Sequence, residues 1–95
     1  MSALHIVRFR LQSSVSERDF LAVNEQFQRE ALTTLPGLER REASRSEDGE
    51  WLLVLRYRDA ASAKQQRSPT EVGKQLMGMI DKSTLSTAIY EVVTG

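Results

Sequence analysis

Two runs in this chain, LHIVRFRL at 4–11 and WLLVLRYR at 51–58, alternate between two faces and constrain the fold more than any other feature. A period of two marks an extended strand, because successive side chains of a strand point to opposite sides of its sheet. The first run sets His5, Val7, Phe9 and Leu11 against Leu4, Ile6, Arg8 and Arg10. The second sets Trp51, Leu53, Leu55 and Tyr57 against Leu52, Val54, Arg56 and Arg58. Branched and aromatic residues dominate both, as strands favour. Strands this apolar belong in the middle of a sheet, not at its edge.

The segments between them follow other periods. Phe20, Val23, Phe27, Ala31 and Leu35 recur at helical spacing, with Glu17, Arg18, Glu25, Gln28 and Arg29 suited to the wet side. Asn24 falls among the polar positions and is read as solvated. Ser16 is placed to cap this helix, with Asp19 three residues on, and Pro36-Gly37 ends it. Residues 38–46 carry too much charge for a central strand and read as an edge strand. Asp48-Gly49 marks a hairpin turn. Asp59 caps a second helix that Pro69 interrupts, since proline lacks the amide donor and clashes with the preceding turn. Ser68-Pro69-Thr70-Glu71 reads as a fresh helix start with Ser68 as its cap. The expectation is therefore two helical pieces, 60–67 and 69–81, the second burying Val72, Leu76, Met79 and Ile80. Residues 85–93 form a closing strand.

The order βαββαβ is the ferredoxin-like arrangement, an α+β fold with a four-stranded antiparallel sheet and helices on one face. Residues 1–95 make one domain. So small a chain has a modest core, and a second subunit would help to stabilise it. Thirteen basic residues balance thirteen acidic ones, which argues against nucleic acid or an anionic membrane as partner. Cysteine is absent, excluding disulfides, thiolate catalysis and zinc–thiolate sites. A single histidine among scattered carboxylates lacks metal-ligand spacing, and no phosphate-cradling glycine loop or nucleophile elbow occurs. No cofactor is expected. The chain enters its first strand without a leader pattern and holds no run near the ~18 apolar residues of a membrane span, so a cytoplasmic protein is expected.

Several of these segments together resemble a known superfamily. They are the 4–11 strand with its capped helix, Pro36-Gly37, Asp48-Gly49, the aromatic-ended strand at 51–58 followed by Asp59-Ala60-Ala61-Ser62-Ala63, and Met79-Ile80-Asp81 before the last strand. The pattern is similar to the dimeric α/β barrels, and within them to the antibiotic-biosynthesis-monooxygenase-like domains. The resemblance implies a homodimer with sheets face to face and a pocket between sheet and helices. Active members include cofactor-free oxygenases of polycyclic phenols, haem-degrading enzymes, isomerases and cyclase-like proteins. The haem-degrading set of an Asn on the first strand and a His on the second helix is missing, because Arg8 holds the first position and the helix has no histidine. The opening His5-Ile6-Val7-Arg8-Phe9 also resembles the stress-responsive α/β barrel branch, one member of which uses the strand histidine as a base.

His5, the one side chain with an ordinary pKa near neutrality, is the candidate general base on the inward face. Its bland alternative, a strand-end histidine satisfied by backbone or water, is the commoner case. Tyr57 is the candidate donor to a developing oxyanion, and Trp51 a platform for an aromatic ligand; both serve equally well as core. Phe9, Phe27, Met79 and Tyr90 complete the candidate lining, with Met79 giving a wall that adapts. Arg8, Arg10, Arg56 and Arg58 share the outward face, where a charged dimer interface with Glu39, Glu42 or Glu91 is favoured over an anion-binding surface. The functional expectation is a cofactor-independent monooxygenase-like enzyme for a small aromatic or polyketide-like compound. The alternatives are a non-catalytic dimeric module for a small ligand or a protein, and a cyclase-like stress-responsive barrel.

Overall fold

In a computed structural model, which describes residues 1–65 and 69–95, the two alternating runs lie side by side at the centre of one sheet. The elements are β1 (Ala3–Leu11), α1 (Glu17–Thr34), β2 (Leu38–Arg45), β3 (Trp51–Tyr57), α2 (Ala60–Lys64), α3 (Glu71–Gly78) and β4 (Ile80–Glu91). The sheet is four-stranded, antiparallel and ordered β2-β3-β1-β4. This is the ferredoxin-like fold, with the charged β2 at an edge as its composition demanded. Among the described residues no helix is long and apolar enough to cross a membrane.

Pairing fixes which residues share a face. Ala3, His5, Val7 and Phe9 stand opposite Tyr57, Leu55, Leu53 and Trp51. All four β3 partners are buried, as are Ala3 and Phe9, so this is the face that the helices cover. Phe20 of α1 binds its aromatic end, edge-on to Phe9 at 5.7 Å and tilted against Trp51 at 4.8 Å between centroids. Such ring pairs add about 0.5–1.5 kcal/mol each to the burial of their area.

The caps that the sequence announced are present. Ser16 Oγ accepts from the Asp19 amide at 3.1 Å and Asp59 Oδ1 from the Ser62 amide at 2.8 Å. Helix α3 starts later than expected, because Thr70 supplies its cap by accepting from the Gly73 amide at 3.1 Å. The capping role read for Ser68 lies outside the described residues. The helix also stops earlier, at Gly78, with Met79 as its C-cap. Ile80 is therefore a strand residue, paired with Leu11 and fully inside, and β4 runs over Ile80–Glu91 rather than 85–93. Helical spacing of Leu76, Met79 and Ile80 had suggested a longer helix; strand pairing at Ile80 overrides it.

Gly37 is the tightest point of the frame. Its φ of +82° is one that side-chain-bearing residues avoid, and an added Cβ would lie 2.6 Å from Ser62 Oγ of α2. Gly78 is the contrast, with nothing within 4 Å of an added Cβ at the exposed end of α3. Denaturant melts should show Gly37→Ala costing about 2–4 kcal/mol through backbone strain and overpacking. The same measurement should show Gly78→Ala gaining about 0.5 kcal/mol from helix propensity. A Gly37→Ala protein as stable as the parent would mean that this close approach does not constrain the fold.

Candidate functional site

The covered face of the sheet sets three polar side chains close together. His5 of β1 pairs with Leu55 of β3, and Leu55 pairs with Arg41 of β2, so the three form one row across the sheet. With strands about 4.8 Å apart, the backbones of His5 and Arg41 are separated by about 10 Å. Tyr57, two residues beyond Leu55 on the same face, is 6 % exposed and close enough to Arg41 to interact with it electrostatically.

Arg41 is the unexpected member. It is only 3 % exposed, and burial pushes its guanidinium down to about 10, which leaves it charged at neutral pH. Its Nη1 donates to Gln28 Oε1 of α1 at 3.1 Å, and its Cζ lies 5.1 Å from the centre of the Phe27 ring. A ring face beneath a cation is attractive, by about 0.5–2 kcal/mol. Nε and Nη2 of Arg41 are buried and have no hydrogen-bond acceptor among the described residues, and no carboxylate lies within 4.0 Å of the guanidinium. Asn24, expected in solvent, is instead buried on α1 with Oδ1 likewise without a donor. A buried charge without an opposite charge is costly, and such atoms concentrate where a fold has a task other than stability.

A cavity of about 430 Å³ opens between α1 and α3, walled by Phe27, Ala31, Leu35, Gly73, Leu76 and Met77. Its lining is largely apolar, with Glu30, Thr34 and Thr70 also contributing. Phe27 is the wall that the cavity shares with Arg41. On the side of α3, its Cε1 lies where an added Cβ on Gly73 would come within 3.3 Å.

The residues singled out from the sequence are thus divided. Phe27 lines the cavity. His5 is half-buried on the covered face, and burial alone holds its imidazole below the ordinary value of 6.5. His5 and Tyr57 share the Arg41 quarter of the sheet but are not in the cavity wall. Trp51 and Phe9 are spent on the Phe20 cluster, Phe9 being wholly buried, so neither offers a free ring face to a ligand. Met79 packs against the core beside the α3 terminus. Tyr90 is placed elsewhere: it pairs with Leu4, stands on the uncovered face and is 56 % exposed. Among the described residues no group of carboxylates and histidine is arranged to hold a metal ion.

On and beside the uncovered face, four arginines find local partners. Arg10 meets Asp48 at 2.9 Å, Arg56 meets Glu39 at 3.7 Å and Arg40 meets Glu42 at 3.1 Å, with Arg58 at 3.6 Å from Asp59. These pairs are exposed and each contributes about 0–1 kcal/mol. Between them lie Leu4, Ile6, Leu52 and Val54, half-covered by their neighbours.

No family model matches the sequence, and no curated protein matches it. Solved structures do match the fold. A Bordetella bronchiseptica protein described as a candidate antibiotic biosynthesis monooxygenase superposes with a TM-score of 0.78 at 16% identity, over 98% of both chains. SnoaB, a cofactor-independent oxygenase from Streptomyces nogalater, gives 0.76 at 13% identity over 99% of this chain and 95% of its own. A dimeric protein of ferredoxin-like fold from Bacteroides fragilis gives 0.66 at 21% identity, over 96% of each. Identities this low carry the fold and not the reaction.

His5 gives the site a pH signature. Because burial lowers its pKa in the folded state, folding favours the neutral ring. Its contribution is present above the unfolded value of 6.5 and is lost as pH falls below it toward the folded value. Stability measured by denaturant should decline as pH falls below 6.5, and His5→Gln should flatten the decline. An unchanged profile in the variant would mean that His5 is not desolvated.

Proposed function

We propose that this protein is a small cofactor-independent monooxygenase-like enzyme acting on an aromatic or polyketide-like compound. The observation that carries the reading is the apolar α1–α3 cavity on a fold shared with a cofactor-independent oxygenase. A volume of about 430 Å³ suits a small polycyclic molecule.

In this reading the substrate supplies its own electrons. His5 stands outside the cavity wall, and a ring CH₂ of the part of the substrate that reaches past Phe27 would lose its proton to it; burial keeps the imidazole in the neutral, proton-accepting form. Tyr57 donates a hydrogen bond to the oxygen on which the negative charge gathers. The carbanion reduces dioxygen: one oxygen atom becomes the carbonyl of that carbon, and the other leaves as water with the two hydrogens removed. Trp51 has no part in it, being committed to Phe20. A second reading, a binding module without turnover, draws support from the absence of His5 and Tyr57 from the cavity wall.

The working form is proposed to be a homodimer joined through the uncovered sheet face. Leu4, Ile6, Leu52, Val54 and the exposed Tyr90 would be withdrawn from water there, and a solved neighbour is itself described as dimeric.

Oxygen uptake by the purified, cofactor-free protein with a panel of polycyclic phenols should reveal turnover, with one labelled oxygen atom in the product. His5→Ala and Tyr57→Phe should each lower the rate, His5→Ala by about 10²-fold. Calorimetric binding of panel members without any uptake would decide for the binding module. Sedimentation at micromolar concentration should give twice the chain mass of 10.8 kDa, and Leu52→Glu should give a monomer. A monomeric parent protein removes the dimer.

A further inference from the structure

The proposed chemistry leaves Arg41 without a role, although it is the most constrained polar side chain in the fold. Three of its surroundings are accounted for. Nη1 is committed to Gln28, the face of the guanidinium lies over Phe27, and Tyr57 stands close by. What remains is the edge formed by Nε and Nη2, both buried and both without an acceptor among the described residues. On that edge two N–H bonds run parallel, the geometry that matches the two oxygens of a carboxylate. The same Phe27 ring also lines the α1–α3 cavity, with its Cε1 edge toward Gly73.

The geometry points to Arg41 as a recognition residue for the carboxylate of an apolar, aromatic acid whose body fills the α1–α3 cavity. Phe27 is the wall between them, and its ring turns aside as the acid enters so that the carboxylate meets Nε and Nη2. Apolar contact with Ala31, Leu35 and Leu76 then binds the body, while the charge decides which bodies are accepted. A neutral compound of the same shape fills the cavity but leaves the guanidinium edge uncompensated. Discrimination follows from that difference. The Gln28 contact keeps the free edge fixed in direction before any ligand arrives, which spares the cost of ordering it on binding. This deepens the enzyme reading by naming its substrate class and rests on the same cavity, yet it requires no turnover.

The test uses the full chain and two matched probes, 2-naphthoate and 2-naphthalenemethanol, titrated by calorimetry. The parent protein should bind the acid about tenfold to a hundredfold more tightly than the alcohol, as a charge-assisted pair of hydrogen bonds requires. Arg41→Met should abolish that preference and leave the affinity for the alcohol within about threefold, since the cavity is untouched. Replacing a buried cation by an apolar chain of similar length should leave the protein folded, which circular dichroism checks. Should the variant not fold, the Arg41 Nε resonance of the parent protein is the readout: a shift with the acid and none with the alcohol supports the site. Equal affinities for the two probes, no binding of either, or a preference that survives Arg41→Met overturns it. Acid preference lost in Arg41→Met, without oxygen uptake from any compound, would sink the enzyme reading and leave this site standing. Oxygen uptake with an acid preference indifferent to Arg41 would do the reverse.

Discussion

Everything in this fold depends on the antiparallel register of β1 against β3. The pairs Ala3–Tyr57, His5–Leu55, Val7–Leu53 and Phe9–Trp51 place the apolar set of both strands under the helices. A slip of one residue would turn Leu52 and Val54 inward and expose Phe9 or Trp51 to water, because the side-chain period of a strand is two. Burying one such ring contributes about 1.5–3 kcal/mol, so the alternative registers lie well above the observed one. Phe20 reinforces the choice by meeting Phe9 and Trp51 together, which only this register allows. The same register brings His5 into the row that Leu55 shares with Arg41.

Much of this frame was legible in the sequence because its determinants are local. Ser16 and Asp59 sit one residue before their helices, and the Gly37 and Gly49 turns need positive φ, which glycine accepts. Central strands announce themselves by alternation. Arg41 was not legible, and the reason is a bulge. Leu38 pairs with Tyr57 while Arg40 pairs with Arg56, so β2 carries one extra residue between them. Alternation counted from Leu38 sends Arg40 inward and Arg41 outward; the bulge reverses both. Asn24 escaped for a related reason, being one polar residue next to Val23 on a helix whose buried stripe is wider than its apolar positions suggest. Tyr90 follows the plain alternation of β4 against β1, and only the pairing of Leu4 with Tyr90 shows which face that is.

Charge is handled in opposite ways on the two sides of the sheet. Outside, Arg10, Arg40 and Arg56 each have a carboxylate within reach, in water that screens whatever imbalance remains. Inside, Arg41 has an amide oxygen, a ring face and a phenol for company, with no carboxylate paired to it among the described residues. The formal net charge of zero thus hides a local imbalance where the dielectric is lowest and each charge matters most. Composition sums over the surface and is blind to such a site.

The pairing of Ala3 with Glu91 has a consequence for how the chain reaches its fold. β1 sits between β3 and β4, so the first strand of this sheet to be synthesised finds its first partner some fifty residues later and its second only near residue 91. Until then its edges hold open amides and carbonyls. Loops of that length close slowly, and a sheet made of distant pairings acquires its cooperativity late. Helix α1, capped at Ser16 and able to form at once, is the element at hand to shield Phe9 during that interval. Phe20 would in this way serve the nascent chain before it serves the finished core.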